Sequence, residues 1–221
     1  MASRREFLHM GIAALTLPIS ARVALGAAPE NSAVKPVADA AIPSVPLYKV
    51  VYDTRYADSV AFGEEMKRLG VNVHAIRGDI TDFWYHDLYA QWKQSPAAIA
   101  GLTGPGALFC LERLAWDHRM RVVFRADHRY GRYQNDLADG GEAGRIEHMI
   151  TGPEEVVRKS SEFVSDEAGW PVLTASLLAR FPQARARLQE ITSETKRSCS
   201  ERDPEHLVSW VIAPKVSTAT A

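Results

Sequence analysis

Tyr48-Lys-Val-Val-Tyr-Asp53, Val71-Asn-Val-His-Ala-Ile76, Ala97-Ala-Ile-Ala-Gly-Leu102 and Arg121-Val-Val-Phe-Arg125 form a spaced series of short apolar runs, roughly 20–25 residues apart. Each is too short for a helix, rich in β-branched or small apolar residues, and followed by polar turn residues. The segments between them carry helical signals. Asp58 or Ser59 can cap a helix whose Phe62, Met66 and Leu69 share one face and whose stop is Gly70. Thr81 can cap a second helix to about Gln94, and Gly104-Pro105-Gly106 opens a third to about Asp117. The order β-α-β-α-β-α-β predicts an α/β domain, Rossmann- or flavodoxin-like, with a mostly parallel sheet and helices on both faces.

Downstream the pattern loosens. Residues 127–150 contain Gly131, Gly140, Gly141 and Gly144 and read as a long functional loop or a small hairpin insertion. Thr151-Gly-Pro-Glu154 reads as a helix start, with Thr as cap, Pro in the first turn, and Glu154 and Glu155 at the positive end. Further helical pieces are expected from Trp170 to Arg180 and, after Pro182, to about Lys196. Together they make a helical C-terminal portion. Leu207-Val-Ser-Trp-Val-Ile212 reads as a last strand.

Open α/β sheets bind ligands outside the carboxyl ends of their strands, where strand order reverses. That rule gathers Asp53-Thr-Arg55-Tyr56, Arg77-Gly-Asp79, Thr103-Gly104-Pro-Gly106 and Arg125-Ala-Asp127-His128-Arg129-Tyr130. Asp53, Arg55, Arg77, Asp79, Thr103, Gly104 and Gly106 are therefore the candidate ligand-binding residues. Arg55 and Arg77 have the forked donors that suit a carboxylate or phosphate. Asp127 and His128 are the candidate acid/base pair. Polar residues collect at the strand ends of any α/β domain because loops face water, so the set is a hypothesis about place more than about chemistry.

Gly101-Leu-Thr-Gly104-Pro-Gly106 has the order G-x-x-G-x-G rather than the dinucleotide G-x-G-x-x-G, and Pro105 removes one amide donor. A tight turn that needs glycine explains it better than a cofactor does. No phosphate-binding G-x-x-x-x-G-K-[ST], nucleophile elbow or H-E-x-x-H occurs, and no cofactor is assigned. Asp117-His118 and Asp127-His128 flank the fourth strand, some 15 Å apart at about 3.3 Å per residue, too far for one metal. His148 reaches His128 only if the intervening segment folds back.

The segment Thr81-Asp-Phe-Trp-Tyr-His-Asp-Leu-Tyr-Ala-Gln-Trp-Lys93 is unusually aromatic. Trp84, Leu88 and Trp92 recur every four residues and should face the sheet. Tyr85 and Tyr89 lie beside them, and Trp84, Tyr85 and Tyr89 are the candidate partner contacts.

At the N-terminus, Ser3-Arg4-Arg5-Glu6-Phe7-Leu8 leads into a moderately apolar run, Met10 to Ala28. This resembles the twin-arginine (Tat) export signal of bacteria, S/T-R-R-x-F-L-K, with His9 where the pattern prefers Lys. The resemblance covers residues 1–28 only. It implies folding in the cytoplasm, export by the Tat translocase, cleavage near 26–28 and a periplasmic location. The run is broken by Gly11, Thr16, Pro18, Ser20 and Arg22, which argues against a permanent membrane anchor. Residues 29–46, with Pro29, Pro36, Pro43 and Pro46, read as an extended linker; residues 47–215 as one domain; and 216–221 as a tail.

The full chain carries a formal net charge of −1, and no like-charge block occurs. That argues against a nucleic-acid surface. Two cysteines, Cys110 and Cys199, show no C-x-x-C spacing, and Cys110 lies in an apolar stretch that reads as core. Folded export is required by a cofactor inserted in the cytoplasm, by a partner carried along without its own signal, or by folding too fast to stay unfolded, and the first two point towards redox complexes. The expectation is thus an exported accessory or binding subunit of a larger periplasmic oxidoreductase. The alternative is a small periplasmic enzyme or ligand-binding protein using the strand-end crevice.

Overall fold

The computed structural model describes residues 45–134, 142–164, 169–182, 188–197 and 206–214. The segment read as an export signal, the expected linker up to residue 44, Cys199 and the expected tail lie outside them. The described residues all fall within one compact unit, Ala41–Ala221.

The elements are β1 (Leu47–Asp53), α1 (Ala57–Arg68), β2 (Val73–Ile76), α2 (Thr81–Phe83), a π-helical turn (Trp84–Leu88), α3 (Tyr89–Gln94), β3 (Ala98–Thr103), α4 (Pro105–Asp117), β4 (Met120–Gln134), β5 (Glu142–Pro153), α5 (Glu154–Val164), α6 (Trp170–Leu178), β6 (Leu188–Arg197) and β7 (His206–Pro214). The strands form one seven-stranded sheet in the order β2-β1-β3-β7-β4-β5-β6. The pairs β1–β2 and β1–β3 are parallel. The other four pairs are antiparallel. The fold is therefore a mixed α/β fold with a mostly antiparallel sheet, not the mostly parallel one expected.

The first four expected strands are all present, and so are the helices between them. The C-terminal half of the chain changes the character of the sheet. β7 runs antiparallel between β3 and β4. Its sequence, Leu207-Val-Ser-Trp-Val-Ile212, does not alternate apolar with polar, and every one of these residues is buried. A continuous apolar strand needs cover on both faces, which a central position supplies. β4 does not stop at Arg125 but continues to Gln134 and pairs with β5 from Arg125 onward. The expected loop over 127–150 is thus a long hairpin. Thr151 lies in β5 instead of capping a helix. The helix expected up to Lys196 is strand β6. Glu190, Glu194 and Arg197 imitate helical spacing, but Ile191, Thr192 and Thr195 are β-branched and pair with β5.

Helices cover the sheet on two faces. On one, α1, α5 and α6 enclose Val50, Phe62, Met66, Leu102, Phe124, Ile150, Trp170 and Leu178. On the other, the α2–α3 segment and α4 enclose Val51, Phe83, Trp84, Leu88, Trp92, Leu108, Leu111, Trp210 and Ile212. From β1 the chain steps one way to β2 through α1, then back past β1 to β3 through α2–α3. A constant crossover hand puts those connections on opposite faces, as found. Strand order reverses between β1 and β3, so a crevice is expected at their carboxyl ends.

Candidate functional site

The residues at the carboxyl ends of β1 and β3 do assemble, but mostly by satisfying one another. Asp53 is fully buried. Its carboxylate accepts the Arg55 backbone N–H at 3.1 Å, Arg55 Nε–H at 3.0 Å and Arg55 Nη2–H at 2.6 Å. The hydrogen bonds that Arg55 donates to Asp53 hold its guanidinium more firmly protonated than an ordinary arginine. Arg55 also stacks over Tyr56, 4.9 Å from the ring centroid. Much of its donor capacity is therefore spent inside the chain. Ser59, at the first turn of α1, accepts the Asp53 N–H at 2.7 Å and donates to the Leu102 carbonyl, joining β1 to β3.

Thr103 is buried; its hydroxyl accepts Trp210 Nε1–H at 3.1 Å and donates to the Gly104 carbonyl at 3.1 Å. Gly104 is extended, with φ −62°, and Gly106 has no neighbour within 4 Å of a built Cβ. Neither position requires glycine. The glycine constraint in this segment is at Gly101, where a Cβ would lie 2.5 Å from Trp210 Cζ2 and 2.6 Å from the Val51 carbonyl oxygen. Strand packing, not a turn, explains it. Arg77 is exposed beyond β2. Asp79 accepts the Thr81 N–H at 2.9 Å and the Thr81 hydroxyl at 2.6 Å, and those bonds hold its carboxyl below the usual range. It shapes the turn into α2.

Asp127 and His128, placed by the sequence in one loop, are successive residues inside β4. They therefore point to opposite faces of the sheet and cannot meet one ligand. Each belongs to a separate cluster. On the face shared with α4, Asp127 is buried and bridges two bases. Its carboxylate accepts Arg125 Nε–H at 2.6 Å and Nη2–H at 2.8 Å, and His206 Nε2 lies 2.8 Å from its Oδ1. Burial pushes this carboxyl up, but the hydrogen bonds and charge of Arg125, followed by those of His206, outweigh it and hold the group below its usual range. An ionised carboxylate only accepts, so His206 must donate from Nε2.

On the opposite face, His128 Nδ1 and His148 Nδ1 are 2.7 Å apart. His128 Nε2 is 2.9 Å from Ser209 Oγ, and His148 Nε2 is 3.1 Å from Thr195 Oγ1. Trp170 packs over His128 at a ring distance of 4.3 Å. One proton lies between the two Nδ1 atoms, and either hydroxyl can donate or accept, so two proton arrangements satisfy the chain. Burial lowers His148 to about 4. His128 falls well below an ordinary histidine through burial, then through the charges of His148 and His206. The hairpin does fold back, as the His128–His148 contact needed. Among the described residues no group of three or more His, Cys, Asp or Glu side chains could hold a metal ion.

The aromatic segment divides as its spacing implied. Trp84, Leu88 and Trp92 are buried, and Trp92 Nε1–H reaches the Ala97 carbonyl at 2.9 Å. Tyr48 and Lys49 of β1 grip Asp87, tying the π turn to the sheet. Trp84 is thus core, while Tyr85 and Tyr89 remain 70% and 42% exposed. Tyr89 meets His118, at the end of α4, with ring centroids 6.0 Å apart. α4 contributes Phe109 and Trp116, 58% and 44% exposed, with the Arg113 guanidinium 5.3 Å and 4.3 Å from their rings. Positions 109, 113 and 116 share one helix face. Cys110, expected in the core, is exposed and carries a free thiol.

The sequence reading therefore brought the crevice residues together and included Arg125 in its fourth loop, but missed His206 and the α4 stripe. The helical spacing of Phe109, Arg113 and Trp116 was the available signal for the stripe. His206 had none, because its partner lies across the sheet. No family model, curated protein or solved structure matches this chain.

Proposed function

We propose that this chain is an exported accessory subunit that docks onto a larger periplasmic oxidoreductase through the aromatic face of α3, the π turn and α4. The observation that carries this reading is the set of large aromatics left facing solvent there: Tyr85, Tyr89, Phe109 and Trp116, flanked by Lys93 and Arg113. Scattered apolar residues at a surface need no explanation. Here Tyr85 and Tyr89 on the π turn and α3, and Phe109, Arg113 and Trp116 on the exposed side of α4, offer tyrosine, tryptophan and arginine, the composition of interface hot spots. Lys93 and Arg113 favour a partner surface with acidic groups at its rim.

The twin-arginine resemblance supports the compartment and the kind of partner, because folded export suits a subunit assembled with a cofactor-bearing protein. No helix among the described residues is long and apolar enough to cross a membrane. The β2-β1-β3 part, with its reversal of strand order, is read as a half-unit of Rossmann or flavodoxin type onto which the antiparallel hairpins are built. The enzyme reading is weakened because its acid/base pair is split between the two faces of β4 and Arg55 is engaged by Asp53.

The test is isolation of the chain from the periplasm of its native host, followed by native mass spectrometry. A stoichiometric larger redox protein is the expected companion, lost when Tyr89 and Trp116 are replaced by alanine.

A further inference from the structure

Most of the face shared with α4 is covered only as far as β4 and β7. Among the described residues no helix packs on this face of β5 or β6. At the border of that open surface, on β4 and β7, stands the Asp127–His206 pair. Asp127 is buried and ionised, pinned from one side by Arg125. It takes the His206 Nε2–H, so a neutral His206 presents its Nδ1 lone pair away from the carboxylate. The His206 side chain is a quarter exposed. A carboxylate that fixes the tautomer and stands ready to stabilise the imidazolium is the arrangement that makes histidine a proton acceptor.

Arg129 completes the geometry. It is paired directly across from His206 in the β4–β7 ladder, so the two side chains leave the same face with Cβ atoms about 5 Å apart. Arg129 is exposed and has no ion-pair partner among the described residues. Glu147 stands opposite it on β5 without forming one. A guanidinium fork and an imidazole acceptor thus converge on one surface position.

We propose that Arg129 and His206, with Asp127 as the positioning residue, form a binding site for a small anion that carries an O–H beside its carboxylate or phosphate group. Arg129 pairs with the anionic oxygens. His206 Nδ1 accepts the ligand's hydroxyl hydrogen bond. If the proton transfers, the O–H bond breaks, the Nδ1–H bond forms, and the imidazolium charge faces Asp127. The site is separate from the aromatic docking face and does not depend on it.

The experiment tracks the His206 ring nitrogens by NMR in the folded chain, titrated with inorganic phosphate and, separately, with glycolate. At a pH where the ring is neutral, the expected starting state is the Nε2–H tautomer. Saturable ring shifts in the millimolar range are expected with at least one probe. Phosphate alone identifies a phosphate ligand, glycolate alone a hydroxycarboxylate, and both a general hydroxyl-bearing anion. Arg129→Gln should weaken binding by at least about tenfold without changing the tautomer, since it removes the bidentate partner of the anionic oxygens. Arg129→Lys should recover part of the loss. Glu147→Gln should tighten it by removing a competing charge. An Nδ1–H tautomer in the unaltered chain, absence of saturation with both probes, or identical binding in Arg129→Gln would each overturn the proposal.

Discussion

At the residue scale, the chain holds two imidazoles in its interior, and acid should expose the cost. His128 and His148 are depressed in the folded chain, His148 to about 4, while an unfolded histidine titrates near 6.5. The unfolded state then binds more protons than the folded one as the pH drops from about 6.5 to 4, so stability rises with pH across that window and is lost on acidification. For His148 alone the change is on the order of 3 kcal/mol. Thermal melts between pH 8 and pH 4 should show a falling Tm below pH 6.5, with a shallower fall in His148→Gln. An unchanged slope in that variant would mean the pair is not buried as described. The carboxylates held below their usual range, Asp79 and Asp127 among them, lose their contribution only at lower pH. Cys110 gives a second check at this scale. Its exposed thiol should react with iodoacetamide in the native state, whereas a core thiol would react only after unfolding.

At the element scale, the close approach of β1, β3 and β7 depends on Gly101. A methyl group there meets the Val51 carbonyl oxygen at 2.6 Å and the Trp210 ring at 2.5 Å, and backbone cannot step aside as a side chain end can. Gly101→Ala should cost about 1–3 kcal/mol, the usual penalty for overpacking, read from denaturant unfolding. Gly106→Ala, in open space, should be nearly neutral by the same measurement. The first four strands and the α1, α2–α3 and α4 segments were legible because local signals coincide there: apolar runs, caps, and glycine or proline stops. The second half of β4 was not. His128, Arg129 and Tyr130 look like a polar turn because the alternation expected of a strand is filled by groups that bond across the structure: His128 to His148, Tyr130 to Asp58 at 2.5 Å. β6 misled for the opposite reason, since its charges fall at helical spacing while its β-branched residues and its partner β5 decide its state. Strand pairing is non-local, so β7 entering antiparallel between β3 and β4 left no trace in any single window.

At the scale of the whole molecule, two surfaces among the described residues bear on function: the aromatic residues on α3, the π turn and α4, and the sheet face around His206. The crevice expected at the strand ends is largely closed by its own residues, with Asp53 and Arg55 bound to each other and Thr103 bound to Trp210. Replacing Tyr85, Tyr89 and Trp116 by alanine should leave the melting temperature nearly unchanged, because solvent-facing side chains contribute little to folding. The same change should weaken partner binding by at least about tenfold, since aromatic anchors at an interface are each worth about 2 kcal/mol or more. The most direct measurement is native mass spectrometry of the protein gently isolated from its host's periplasm, run in parallel on the unaltered chain and on the triple alanine variant. A stoichiometric larger redox protein with the unaltered chain, and a lone chain of normal stability with the variant, is the expected result. A lone unaltered chain, or a complex that survives the triple replacement, would contradict docking through this face.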